Sequence, residues 1–123
     1  MLVGVSMLLP PPKVQEGTLS RLKTHSKKYV SKRRGVKEIR ANFKGNHLFL
    51  QVVKEAKGGL IGRMFGMGEV RGIGRLARLE YLGPNKWKFL IFNYETNKYT
   101  PYSQLKEGSI EECLDAAARI FLT

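Results

Sequence analysis

On either side of Gly45-Asn46, between Val36 and Val53, apolar and polar positions alternate in a way that predicts a β-hairpin. Glycine reaches positive φ at no steric cost and asparagine tolerates it, so the pair suits a two-residue primed turn. A turn there pairs Lys44 with His47, Phe43 with Leu48, and so on back to Ile39 with Val52. One face then carries Ile39, Ala41 and Phe43 with Val52, Leu50 and Leu48. The other carries Glu38, Arg40, Asn42 and Lys44 opposite Val53, Gln51, Phe49 and His47. A one-residue slip would turn the apolar set toward solvent, so turn chemistry and face pattern support each other.

A second hairpin is predicted from Gly74–Leu82 and Trp87–Tyr94 around Gly83-Pro84-Asn85-Lys86, with proline at a type I corner. A four-residue loop pairs Leu82 with Trp87, Glu80 with Phe89 and Arg78 with Ile91. Tyr81, Leu79, Ala77 and Arg75 then share the opposite face with Lys88, Leu90, Phe92 and Tyr94. The strand from Trp87 is apolar on both sides, as an inner strand is. Lys98–Tyr102 makes a short strand, with Pro101 suited to an edge.

Two helices frame the strands. Thr18 to about Arg34 has an incomplete apolar stripe, Leu19, Leu22, Tyr29 and Val30, with Thr18 as a cap and Gly35 at its end. Near the C-terminus, Ser109 and Glu112 form a capping box. Ile110, Cys113, Leu114, Ala117, Ala118 and Phe121 follow at helical spacing, so this helix packs on one face of the sheet. Residues 1–17 read as a disordered tail, because Pro10, Pro11 and Pro12 favour polyproline II. Residues 18–123 form one α+β domain: a four- or five-stranded antiparallel sheet, a basic N-terminal helix and the C-terminal amphipathic helix.

Charge changes the picture. The 123 residues hold 22 Lys and Arg against 10 Asp and Glu, a net +12. From Arg21 to Lys44 there are ten basic residues and a single acid, Glu38. Self-repulsion of that density opposes folding unless a polyanion neutralises it, which points to nucleic acid. A glycine-rich stretch, Lys57 to Gly74, holds seven glycines with Arg63 and Arg71 among them. Its Gly-x-Gly-x-x-x-Gly spacing fits no dinucleotide fingerprint, and no Lys-Ser/Thr closes a phosphate loop. It reads either as a mobile arm that orders on a ligand or as a plain flexible loop.

Catalytic signatures are lacking. His25 and His47 have no metal-ligand spacing, no nucleophile elbow appears, and the only aspartate is Asp115. The expectation is a protein that is not an enzyme and needs no cofactor or metal. A metal-independent nuclease using His47 is a remote alternative. Cys113 lies on the apolar stripe, so it reads as a small buried hydrophobe, and a lone cysteine fits an intracellular, reducing setting. No apolar run approaches the ~20 residues that span a bilayer, so no membrane partner is expected.

What remains is a basic surface interleaved with aromatics, the combination that tracks phosphates and stacks bases in single-strand binders. The candidate nucleic-acid-binding residues are Lys27, Lys28, Lys32, Arg33, Arg34, Lys37, Arg40, Lys44, His47 and Phe49, joined by Arg63 and Arg71. Trp87 and Phe89 either extend that platform or sit in the core under a helix. The competing reading is an interaction protein that binds an acidic protein or a ribosomal surface.

Across Val36–Glu55 the chain resembles the single-stranded DNA-binding domain of positive-cofactor-type transcriptional coactivators. The resemblance is carried by Ile39, Arg40, Phe43-Lys44-Gly45, Leu48, Leu50, Val52 and Glu55, then by the basic glycine-rich stretch. It implies a curved antiparallel sheet, binding of single-stranded DNA or RNA without strong sequence preference, and a homodimer.

Overall fold

The first hairpin folds in the predicted register. In the computed structural model, which describes residues 9–30, 35–55 and 71–122, β1 (Val36–Lys44) and β2 (His47–Glu55) pair Lys44 with His47, Phe43 with Leu48 and Ile39 with Val52. Gly45 takes φ of 63°, the conformation for which glycine is suited at this turn. A bulge between Val36 and Glu38 is the only irregularity of this pair.

β3 (Arg71–Gly83) extends the sheet from β2, and β4 (Lys86–Asn93) pairs with β3. Here the register differs from expectation. Tyr81 pairs with Trp87, Leu79 with Phe89 and Ala77 with Ile91, while Gly83 pairs with Lys86. The turn is the two residues Pro84-Asn85, with Asn85 at φ 51° and Gly83 at φ 152°, and a shift between Tyr81 and Gly83 absorbs one residue. That bulge moves Tyr81, Leu79 and Ala77 onto the face of Trp87, Phe89 and Ile91, and Glu80 and Arg78 onto the other. The observed register buries six apolar side chains together; the expected one would have placed Glu80 and Arg78 among them. Trp87 and Phe89 are accordingly core residues, 0% and 1% exposed, and not part of a stacking platform.

β4 is an inner strand, as its two apolar faces require. Its far side is met by an interrupted edge: β5 (Lys98–Pro101) pairs with Leu90–Asn93, and β6 (Glu107–Gly108) pairs with Trp87 and Lys88. Between them the chain leaves the ladder after Pro101, and Phe89 N–H donates to the Lys106 carbonyl at 2.9 Å. The sheet is therefore antiparallel in the order β1-β2-β3-β4-β5, with β6 a short strand that the sequence pattern did not show.

Both helices pack on one face. α2 (Ile110–Phe121) lies against β3, β4 and β6, and its capping box forms as predicted: Glu112 N–H donates to Ser109 Oγ at 3.1 Å, and Ser109 N–H to Glu112 Oε1 at 2.9 Å. Asn85 adds a third cap, its Oδ1 accepting from Ile110 N–H at 3.1 Å. α1 runs over Pro12–Ser26 instead of Thr18–Arg34. Proline lacks an N–H that would be orphaned in the first turn and has its φ already set, so Pro11-Pro12 start the helix and do not extend a tail. Thr18 is buried mid-helix, not a cap. α1 rests on α2 and on β1, and Leu22 reaches the core formed by Leu48, Leu50, Leu79, Trp87, Phe89, Ile110 and Leu114.

Candidate nucleic-acid interface

The face away from the helices is assembled by cross-strand pairing. Arg40, Asn42 and Lys44 of β1 stand opposite Gln51, Phe49 and His47 of β2, as the alternation predicts. β3 then sets Arg75, Arg78 and Glu80 opposite Gln51, Phe49 and His47, and β4 sets Leu90 and Lys88 opposite Arg78 and Glu80. Phe92 and Tyr99 pair at the β4–β5 edge.

The aromatic contacts show the shape of this face. Phe49 of β2 meets Tyr99 of β5 edge-on, ring centroids 5.9 Å apart, although three strand spacings of ~4.8 Å separate their backbones. Side chains so placed meet only if the sheet curls toward this face, leaving a concave surface. Tyr99 also meets Phe92 at 5.0 Å, Phe92 meets Tyr94 at 4.6 Å, and His47 meets Phe49 at 6.3 Å. Two guanidinium groups lie over these rings, Arg78 at 5.3 Å from the Tyr99 centroid and Arg75 at 5.3 Å from that of Phe92. Among the described residues no carboxylate pairs with either, and Arg78 Nε is buried without a hydrogen-bond partner. Burial pushes the Tyr99 hydroxyl above its usual pKa against the pull of Arg75 and Arg78. Burial, then Arg78, lowers the His47 imidazole, with Glu80 Oε1 at 3.9 Å opposing.

The candidate residues from the sequence are not all brought together. Arg40, Lys44, His47 and Phe49 share the concave face; Arg40 contacts Glu38 at 3.4 Å, and Lys44 is exposed beside the hairpin turn. Lys37 is exposed at the β1 bulge. Lys27 and Lys28 follow the end of α1, and Lys28 is drawn to the helix seam, its Nζ 3.1 Å from Asp115. Lys32, Arg33, Arg34 and Arg63 lie outside the described residues, as does most of the glycine-rich stretch. Of Arg71 only the backbone is described, paired with Glu55 at the start of β3. Arg75, Arg78 and Tyr99 were missed by the sequence reading. Arg75 and Arg78 were visible as basic residues on a predicted strand, but the irregularities of β3 against β2 and β4 hid the face they share with Phe49, and Tyr99 carried no local signal.

A second polar cluster ties α1 to α2. Asp115 Oδ1 accepts from Tyr29 Oη at 2.5 Å, lies 2.9 Å from His25 Nε2, and receives Lys28 as well; Arg21 donates twice to Glu111, at 2.7 and 2.9 Å. Burial pushes both carboxyls up, and the hydrogen bonds they accept more than offset it, so both sit below the usual carboxylate range. Cys113 is fully buried, as expected, and its thiol is pushed up to about 12 by burial and by Glu112, so it is no nucleophile near neutral pH. Among the described residues no group of three or more His, Cys, Asp or Glu could hold a metal, and no helix is long and apolar enough to cross a membrane. No family model, curated protein or solved structure matches the chain.

Proposed function

We propose that the concave face binds single-stranded nucleic acid. The observation that carries this reading is the pair of arginines, Arg75 and Arg78, that have no carboxylate partner among the described residues and lie over an aromatic row that continues to Phe49. Guanidinium groups neutralise phosphates, ring faces and guanidinium planes accept bases, and the helices reach this side only at its Tyr94 end, where the ring meets Phe121 at 5.7 Å. A curled trough admits a strand with splayed bases more readily than a rigid duplex. The net charge of +12 supplies long-range attraction for a polyanion. The same reading accommodates the resemblance to positive-cofactor-type single-strand-binding domains, including a homodimer as a further part of the proposal.

Fluorescence anisotropy with a labelled single-stranded oligonucleotide, the corresponding duplex and an RNA of the same sequence tests it. Single strands should bind most tightly, and Tyr99→Ala should weaken them by ~1–3 kcal/mol with a smaller effect on duplex. Equal affinity for all three, unchanged by Tyr99→Ala, would remove the face from consideration.

A further inference from the structure

β1 is an edge strand, and what lies beside it is a groove. By the alternation of an antiparallel pair closed by a two-residue turn, Lys44, Asn42 and Arg40 exchange hydrogen bonds with β2, so the N–H and C=O groups of Ile39, Ala41 and Phe43 point outward. No described strand pairs with them. A groove of about 680 Å³ runs along this edge between β1 and α1. Its floor is apolar, formed by Ile39 and Ala41 from the strand and Leu19, Leu22 and Val30 from the helix side. Leu19 and Val30, both on the helix side of the groove, are 40% and 41% exposed, high values for apolar side chains lining a cleft. Lys23, Lys27 and Arg40 rim the groove against a single acid, Glu38, which Arg40 already contacts.

We propose that this groove takes an acidic peptide segment of a partner protein, bound in extended form as an additional strand on β1. The outward backbone groups call for a ligand with its own ladder of N–H and C=O groups, which a peptide has and a nucleic acid lacks. The apolar floor takes alternate side chains of such a strand, the intervening acidic ones point to the other face of the sheet beside Arg40, and Lys23 and Lys27 at the rim add a field that favours an acidic ligand. A second copy of the chain is a poor occupant, because it carries the same +12 charge and would set β1 cations against one another. This site is separate from the concave face apart from Arg40, Asn42 and Gln51 at their common border.

The probe is an end-blocked eight-residue peptide of alternating leucine and glutamate, with a lysine-for-glutamate version as control. In a titration of the full chain followed by amide resonances and hydrogen exchange, the acidic peptide should protect the amides of Ile39, Ala41 and Phe43, and the basic one should not bind. Ala41→Pro removes an outward N–H at a position where an edge strand tolerates proline, and should weaken peptide binding about tenfold. Leu19→Glu, on the exposed helix surface, should weaken it at least as much and serves if the proline variant fails to fold. Neither should change binding of a single-stranded oligonucleotide to the concave face, so the two sites fail separately. The proposal is overturned if the peptide does not bind, or if it binds but shifts leave β1 or survive both variants. It is equally overturned if an oligonucleotide occupies the groove and loses affinity in Leu19→Glu, or if sedimentation shows self-association that Ala41→Pro abolishes.

Discussion

Phe43 and Phe49 are six positions apart on one hairpin and serve opposite sides of the sheet. Phe43 packs on the core with its ring 6.1 Å from Trp87, whereas Phe49 touches His47 and Tyr99 on the concave face. Both are only partly buried, so neither loss equals that of a fully enclosed ring. Phe43→Ala should cost roughly 3 kcal/mol of stability, since it opens a cavity against the largest core side chain. Phe49→Ala removes two aromatic contacts and should cost about 1 kcal/mol of stability, while lowering single-strand affinity by ~1–3 kcal/mol. Urea melts and anisotropy on the two variants check this; a Phe49→Ala protein that melts early but binds normally would assign Phe49 to structure alone. The opposition of these two rings was legible in the sequence, because a period of two and a glycine turn fix it. Their neighbour Tyr99 was not legible, because it arrives from another hairpin through the curl of the sheet.

At the level of elements, the α1–α2 seam carries two carboxylates, Glu111 and Asp115, that accept hydrogen bonds from α1 and the residues after it, and is therefore sensitive to acid. A carboxyl whose folded pKa is depressed contributes stability that is present above its unfolded value of about 4 and is lost as pH falls through the folded value. Asp115 and Glu111 are both of this kind. Asp115→Asn keeps the shape but weakens the acceptor for Tyr29, His25 and Lys28, and at pH 7 should cost about 1–2 kcal/mol. The gap between the two proteins should close as pH drops below about 4, where wild type loses the same charge. Thermal melts from pH 7 to 3 measure this, and a gap independent of pH would assign Asp115 a packing role. Reading the difference between proteins also separates Asp115 from His47, whose lowered pKa withdraws stability in the window just below 6.5 in both. The α2 side of this seam was plain in the sequence, since Ser109 and Glu112 carry a local signal for the start of that helix. The start of α1 was not, because three prolines read equally as a tail or as a first turn, and only packing of Leu22 against the core decides.

For the whole molecule, the question is whether +12 acts as a diffuse cloud or through one surface. If the concave face is where the strand binds, replacing Lys44, Arg75 and Arg78 with glutamine should flatten the plot of log affinity against log salt. On a single strand the slope should fall by ~0.7 for each phosphate that is no longer neutralised. The same number of substitutions at exposed lysines elsewhere, Lys13, Lys98 and Lys106, should lower affinity slightly and leave the slope nearly unchanged. Equal slopes in the two triple variants would mean that charge alone, and not this face, holds the nucleic acid.

The chain by itself determined whatever depends on near neighbours: the first hairpin with its faces, the inner character of β4, the capped α2, the burial of Cys113 and the α+β class with its antiparallel sheet. Each rests on a period or a cap written within a few residues. Tertiary structure decided the rest. Only the competition to bury Tyr81, Leu79 and Ala77 beside Trp87, Phe89 and Ile91 selects the bulged register of β3 and β4. That register turns Arg78 to the side of Phe49, and the curl of the sheet carries Tyr99 to them from three strands away. The groove along β1 likewise exists because α1 packs beside a strand edge that nothing else in the described chain pairs. Surfaces built from residues distant in sequence have no local pattern to announce them, because their energy comes from contacts that form only once the sheet has closed.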